Sequence, residues 1–222
     1  MAKKALEQKQ GNSVEVVFIL DRSGSMAGLE ADTIGGFNST LKKQKEEPGT
    51  VLWSTVLFDD RHEVVHDRVL IGKVRELTED TYYVRGCTAL LDAIGRAVQH
   101  IGNVHKYARP EDVPDRTLFV ITTDGMENAS HEYTYAQIRR MIGQKTKKDG
   151  WEFLFLGANM DAVNVAGRMG IRREHSATFL NDERGIATNY GAIGKAITCL
   201  RCSGSMEDTV LEEVRADYGR RK

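Results

Sequence analysis

Short apolar runs and helix-spaced apolar stripes take turns along this chain. Val14–Leu20, V-E-V-V-F-I-L, is rich in β-branched residues and reads as a strand buried on both faces. Leu29, Thr33, Ile34, Phe37 and Leu41 then recur at helical spacing, and Pro48-Gly49 ends that segment. Val51–Phe58 reads as a strand, Asp59-Asp60-Arg61 as a turn, and His62–Ile71 as a second strand. So short a connection predicts an antiparallel hairpin. Leu90, Leu91, Ile94, Ala97, Val98 and Ile101 mark a second helix, and T-L-F-V-I-T-T at 117–123 another buried strand. A helix over 135–147, a strand over 151–156, a short helix from an Asp161 N-cap to Met169, a strand over 176–180 and a helix over 184–200 follow.

Strands that alternate with helices pair in parallel through right-handed crossovers. The expected fold is therefore α/β: a doubly wound, Rossmann-like, mostly parallel sheet with one antiparallel edge strand and helices on both faces. Residues 1–12 are polar and read as a flexible N-terminal arm, 13–200 as one folded domain, and 201–222 as a polar C-terminal tail with room for one more helical stretch. A length of 222 residues suits a single core. With 41% hydrophobic and 28% charged residues and a net charge of −1, nothing marks the chain as a binder of nucleic acid or of a membrane surface. The first residues hold no apolar signal segment, and no apolar run approaches the ~18 residues of a membrane span. Three cysteines make no disulfide framework, so the expected setting is cytoplasmic.

The chemistry gathers at strand ends. Asp21 directly follows the first strand and opens D-R-S-G-S-M, which carries Ser23 and Ser25. Asp124, in T-T-D-G, follows the strand at 117–123, and Thr88, in R-G-C-T-A, stands at the start of the second helix. In doubly wound sheets, ligands bind beyond the carboxyl ends of the strands, where strand order reverses. Two carboxylates and three hydroxyls make an all-oxygen set, which suits hard divalent cations such as Mg²⁺ or Mn²⁺. For Asp21 alone, a helix-capping role is the simpler reading. All five residues together point to metal.

D-R-S-G-S, Thr88 and T-D-G in this order resemble the metal-ion-dependent adhesion site (MIDAS) of von Willebrand factor A (vWA) domains of the bacterial, intracellular type, over roughly residues 13–200. The resemblance implies that Ser23, Ser25 and Thr88 offer hydroxyls to a Mg²⁺, Mn²⁺ or Ca²⁺ ion, with Asp21 and Asp124 acting directly or through water. It also implies a protein partner whose Asp or Glu carboxylate completes the ion's shell, within a multiprotein assembly of the kind some relatives form with AAA-type ATPases. Cys87 stands where the family commonly has a second glycine. The resemblance further implies that the last helix and tail, 184–222, can act as a signalling element. A Mg²⁺-dependent hydrolase using the same oxygens and a metal-free scaffold are the alternatives. The hydrolase is the weaker, because no histidine lies inside a metal segment and His131 alone stands near one.

Other motifs fit their contexts poorly. H-E-V-V-H at 62–66 matches the zincin pattern, but on a strand the two histidines stand ~13 Å apart. C-L-R-C at 199–202 has no second pair, and G-A-I-G-K-A at 191–196 lacks the spacing and final hydroxyl of a phosphate loop. Lysines at 42–45 and 145–148 sit in last helical turns, where they complement the helix dipole. A second S-G-S-M at 203–206 has Arg201 in place of Asp21 and no strand before it, so it carries no matching chemistry.

Overall fold

The structure, a computed structural model, describes residues 12–158 and 160–222. The expected N-terminal arm lies outside the described residues apart from Asn12. Six strands, β1 (Val14–Asp21), β2 (Val51–Phe58), β3 (His62–Leu70), β4 (Arg116–Thr123), β5 (Glu152–Ala158) and β6 (Ser176–Phe179), form one sheet in the order β3-β2-β1-β4-β5-β6. All neighbouring pairs are parallel except β2 with β3. Six α-helices among the described residues accompany them: α1 (Glu30–Glu46), α2 (Leu90–Tyr107), α3 (Tyr135–Asp149), α4 (Ala162–Met169), α5 (Glu183–Ser203) and α6 (Glu212–Arg221). This is the doubly wound sheet with one antiparallel edge that the alternating pattern predicts.

The central strand shows why the fold closes. Val14, Val16, Phe18 and Leu20 of β1 face a core shared with α1, α5 and α6, while Val17 and Ile19 face a second core built with α2, α3 and α4. The Phe18 ring stacks on Trp53 at 4.8 Å and meets Phe37 edge-on at 5.3 Å, which locks α1 over β1 and β2. On the other face, Phe119, Trp151 and Phe153 form a stacked column with centroids 5.1 and 5.0 Å apart. Local signals hold each helix in place. Thr134 and Gln137 close a capping box on α3, Gly150 ends it in the left-handed conformation, and Asp161 caps α4 by accepting from the Asn164 N–H.

One expectation changes. The polar tail expected over 201–222 is packed: α5 runs to Ser203, α6 supplies the further helical stretch, and Met206, Val210, Leu211 and Val214 bury in the core shared with α1 and α5. Arg201, the counterpart of Asp21 in the second S-G-S-M, is itself buried. It donates to the carbonyls of Gln44, Glu47 and Pro48, closing the end of α1. The H-E-V-V-H stretch lies on β3, as its context requires, with a further twist: β2–β3 pairing slips between Val64 and His66. The bulge sends His62 to the α2 side, near His100 and Arg96, and His66 to the Thr55 hydroxyl at 3.0 Å. The two imidazoles therefore do not share a face.

Candidate metal centre

β1 lies between β2 and β4, and the crossovers from it and toward β4 leave on opposite faces, so strand order reverses between β1 and β4. Their register, Leu20 beside Thr122, brings the ends of both strands to one rim. Asp21 is buried there. Its Oδ1 accepts the Ser23 N–H at 2.7 Å, and its Oδ2 accepts the Thr123 hydroxyl at 2.5 Å. Its backbone carbonyl accepts the Tyr82 phenol at 2.6 Å, which fixes the strand end from below. The Asp21 carboxylate thus has neutral donors only.

The three hydroxyls converge as their motif positions predict. Ser23 Oγ lies 3.0 Å from Ser25 Oγ and accepts the Thr88 hydroxyl at 3.0 Å. Thr88 is held in this position by Asn128, whose Oδ1 accepts the Thr88 N–H while its own N–H donates to the Thr88 carbonyl. Asp124 Oδ2 accepts from Asn181 Nδ2 at 3.2 Å, and its Oδ1 is buried without a partner. Gly125 closes the ring: a Cβ there would stand 2.6 Å from Thr88 Oγ1, 2.9 Å from Ser25 Oγ and 3.4 Å from Ser23 Oγ. The three hydroxyls therefore surround a space that only glycine leaves open.

The charges are unsettled. Burial raises the Asp21 pKa to about 6; bonds from Thr123 and Ser23 oppose the rise, and the charge of Asp124 adds to it. Burial also raises Asp124, against bonds from Ser25 and Asn181. Two carboxylates that resist ionisation, an orphaned buried oxygen and a ring of hydroxyls fit a hard divalent cation. The set holds only two carboxylates beside its hydroxyls: among the described residues, no cluster of three or more His, Cys, Asp or Glu side chains is placed to hold an ion. All five residues singled out in the sequence meet at this rim. Thr123, Asn181, Asn128 and Tyr82 were not foreseen. Thr123 had a signal, since it stands directly before Asp124 at a strand end; the others come from distant loops and had none.

Known structures share this architecture. The vWF domain of the type V pili tip protein Mfa5 from Porphyromonas gingivalis superposes with a TM-score of 0.59 at 13% identity, over 89% of this chain and 99% of that one. The fold is that of a vWA domain. Proximal thread matrix protein 1 from the mussel byssus, solved with a zinc-occupied MIDAS motif, gives 0.57 at 15% identity, over 86% of this chain and 47% of that one. A von Willebrand factor type A protein from Catenulispora acidiphila gives 0.54 at 14% identity, over 84% and 42%. The vWA fold here thus spans about half the length of the byssus and Catenulispora proteins. No protein-family model matches the chain, and no curated protein matches it in sequence.

Proposed function

We propose that this vWA-fold chain is a divalent-metal-dependent protein–protein interaction module. Asp21, Ser23, Ser25, Thr88 and Asp124 would hold the cation, Mg²⁺ first and Mn²⁺ or Ca²⁺ as alternatives. The observation that carries the reading is the pair of carboxylates, Asp21 buried and Asp124 half-buried, supplied only with neutral donors and facing a glycine-lined ring of hydroxyls. Neutral hydroxyls leave the ion its positive charge, so it keeps an appetite for one more anionic oxygen, which a partner's Asp or Glu supplies. This is binding chemistry and needs no proton transfer. His131, the histidine nearest in sequence to Asp124, is exposed and offers its backbone N–H to Asp92.

The proposed setting is the cytoplasm, consistent with three unbridged cysteines, within a multiprotein assembly in which an AAA-type ATPase is a candidate partner. No helix among the described residues is long and apolar enough to cross a membrane. The test is a pull-down with and without EDTA, comparing wild type with Asp21→Ala. A partner retained by wild type in Mg²⁺, and lost in EDTA and in the variant, is the expected result. A partner retained equally in all arms contradicts the reading, as does metal-dependent turnover of phosphate esters.

A further inference from the structure

Between Asp21 and Ser23 stands Arg22, whose side chain is fully buried. It turns to the end of β2, where its Nε donates to Asp59 Oδ2 at 2.9 Å and its Nη2 to Glu63 Oε2 at 2.6 Å; its Nη1 has no partner. The same Asp59 Oδ2 accepts Arg85 Nε at 2.7 Å, and Asp59 Oδ1 accepts the Arg61 N–H at 2.7 Å. Both guanidiniums lie over the Tyr83 ring, at 5.3 and 5.4 Å from its centroid. The main chain ties the same parts together. Arg85 N–H donates to the Arg22 carbonyl at 2.9 Å, Gly24 N–H to the Gly86 carbonyl at 3.1 Å, and Ala89 N–H to the Asp59 carbonyl at 2.9 Å. Gly86, at φ +66°, passes so close to the turn that a Cβ would meet Asp60 Oδ1 at 2.2 Å. Thr88 is therefore bracketed by residues 85–86 and 89, all anchored on Arg22, Gly24 and Asp59.

We propose that the Arg22–Asp59–Arg85 ion cluster positions the Thr88 hydroxyl against Ser23 and Ser25, and so sets the strength and selectivity of cation binding without touching the ion. This inference rests on the metal-site reading above. Arg22, Asp59 and Arg85 are positioning residues: they join the loop after β1, the turn after β2 and the loop before α2 into one rigid unit. Rigidity matters unequally among ions. Mg²⁺ demands near-ideal octahedral geometry, whereas Ca²⁺ accepts varied geometry and ligand number. A displaced Thr88 therefore penalises Mg²⁺ more than Ca²⁺.

The test is calorimetric titration of wild type, Asp59→Asn, Arg85→Gln and Arg85→Lys with Mg²⁺ and with Ca²⁺, each paired with a melting curve. Mg²⁺ affinity is expected to fall about tenfold or more in Asp59→Asn and Arg85→Gln, as for other residues that orient metal ligands. Ca²⁺ affinity falls less, so the selectivity ratio moves, and Arg85→Lys recovers part of it. Should Asp59→Asn fail to fold, Arg85→Gln carries the test, because Arg85 is one-third exposed and its loss leaves the Arg22–Asp59 pair intact. Absence of Mg²⁺ binding by wild type overturns the metal reading and this inference together. Wild-type binding, with variants that bind as tightly or lose both ions in equal proportion, overturns this inference alone.

Discussion

Asp21 and Asp59 are both buried aspartates at the carboxyl ends of neighbouring strands, since Asp21 pairs in register with Phe58, the residue before Asp59. Their surroundings are opposite. Burial would raise both, but around Asp59 the Arg85 guanidinium, the Arg61 N–H and Arg22 outweigh it and hold the carboxyl below its usual range. Around Asp21 the donors are a backbone N–H and a hydroxyl, and the nearby charge is another carboxylate, so its pKa climbs to about 6. The chain thus neutralises one buried carboxylate with its own cations and leaves the adjacent one without any. The difference leaves the buried Asp21 carboxylate with no cation of the chain against it, as the proposed metal site requires.

One substitution applied at both sites tests that contrast with opposite signs. Asp59→Asn strands the buried Arg22 with only the half-exposed Glu63, and is expected to cost about 3–5 kcal/mol in denaturant unfolding. Asp21→Asn, measured in EDTA, is expected to stabilise by about 1–2 kcal/mol, because a neutral amide needs no counter-charge and can still accept the Ser23 N–H. Destabilisation by both substitutions would erase the comparison.

The titration of Asp21 gives the next effect. Its folded pKa of about 6 lies above its unfolded value of 3.8, so its contribution to stability is full below 3.8 and is lost as pH rises through 6. The metal-free protein therefore loses about 3 kcal/mol across that window relative to Asp21→Asn. Mg²⁺ affinity rises over the same window, because the ion must displace the proton. Parallel pH–stability curves for wild type and Asp21→Asn in EDTA would refute the assignment. Smallest is Asn181→Ala, which removes one neutral donor from Asp124 and is expected to cost only about 0.5–1 kcal/mol by thermal melting. A loss as large as that of Asp59→Asn would mean that neutral donors matter as much as cationic ones.

Much of this was legible in the sequence, for physical reasons. The buried runs of β1 and β4 announced central strands, and residues that directly follow such strands fall at one rim, so Asp21 and Asp124 could be paired without coordinates. Ser23, Ser25 and Thr88 followed from motif order. What escaped depends on contacts between distant segments. Asn181 reaches Asp124 from the loop before α5, and Asp59 joins Arg22 to Arg85 across three loops. The bulge at Val65, which sets His62 and His66 on opposite faces, has no glycine or proline to signal it. The packed segment after Ser203 was missed because Met206, Val210, Leu211 and Val214 are scattered among charged residues, which dilutes their stripe.

The central claim, that a divalent cation occupies the ring of oxygens at the ends of β1 and β4, is tested most directly by an anomalous difference map from a crystal soaked in Mn²⁺. A single strong peak among the Ser23, Ser25 and Thr88 hydroxyls and the Asp124 carboxylate, absent from Asp21→Ala crystals, is the predicted result. An empty rim at saturating Mn²⁺, or a peak confined to another part of the molecule, would contradict the account.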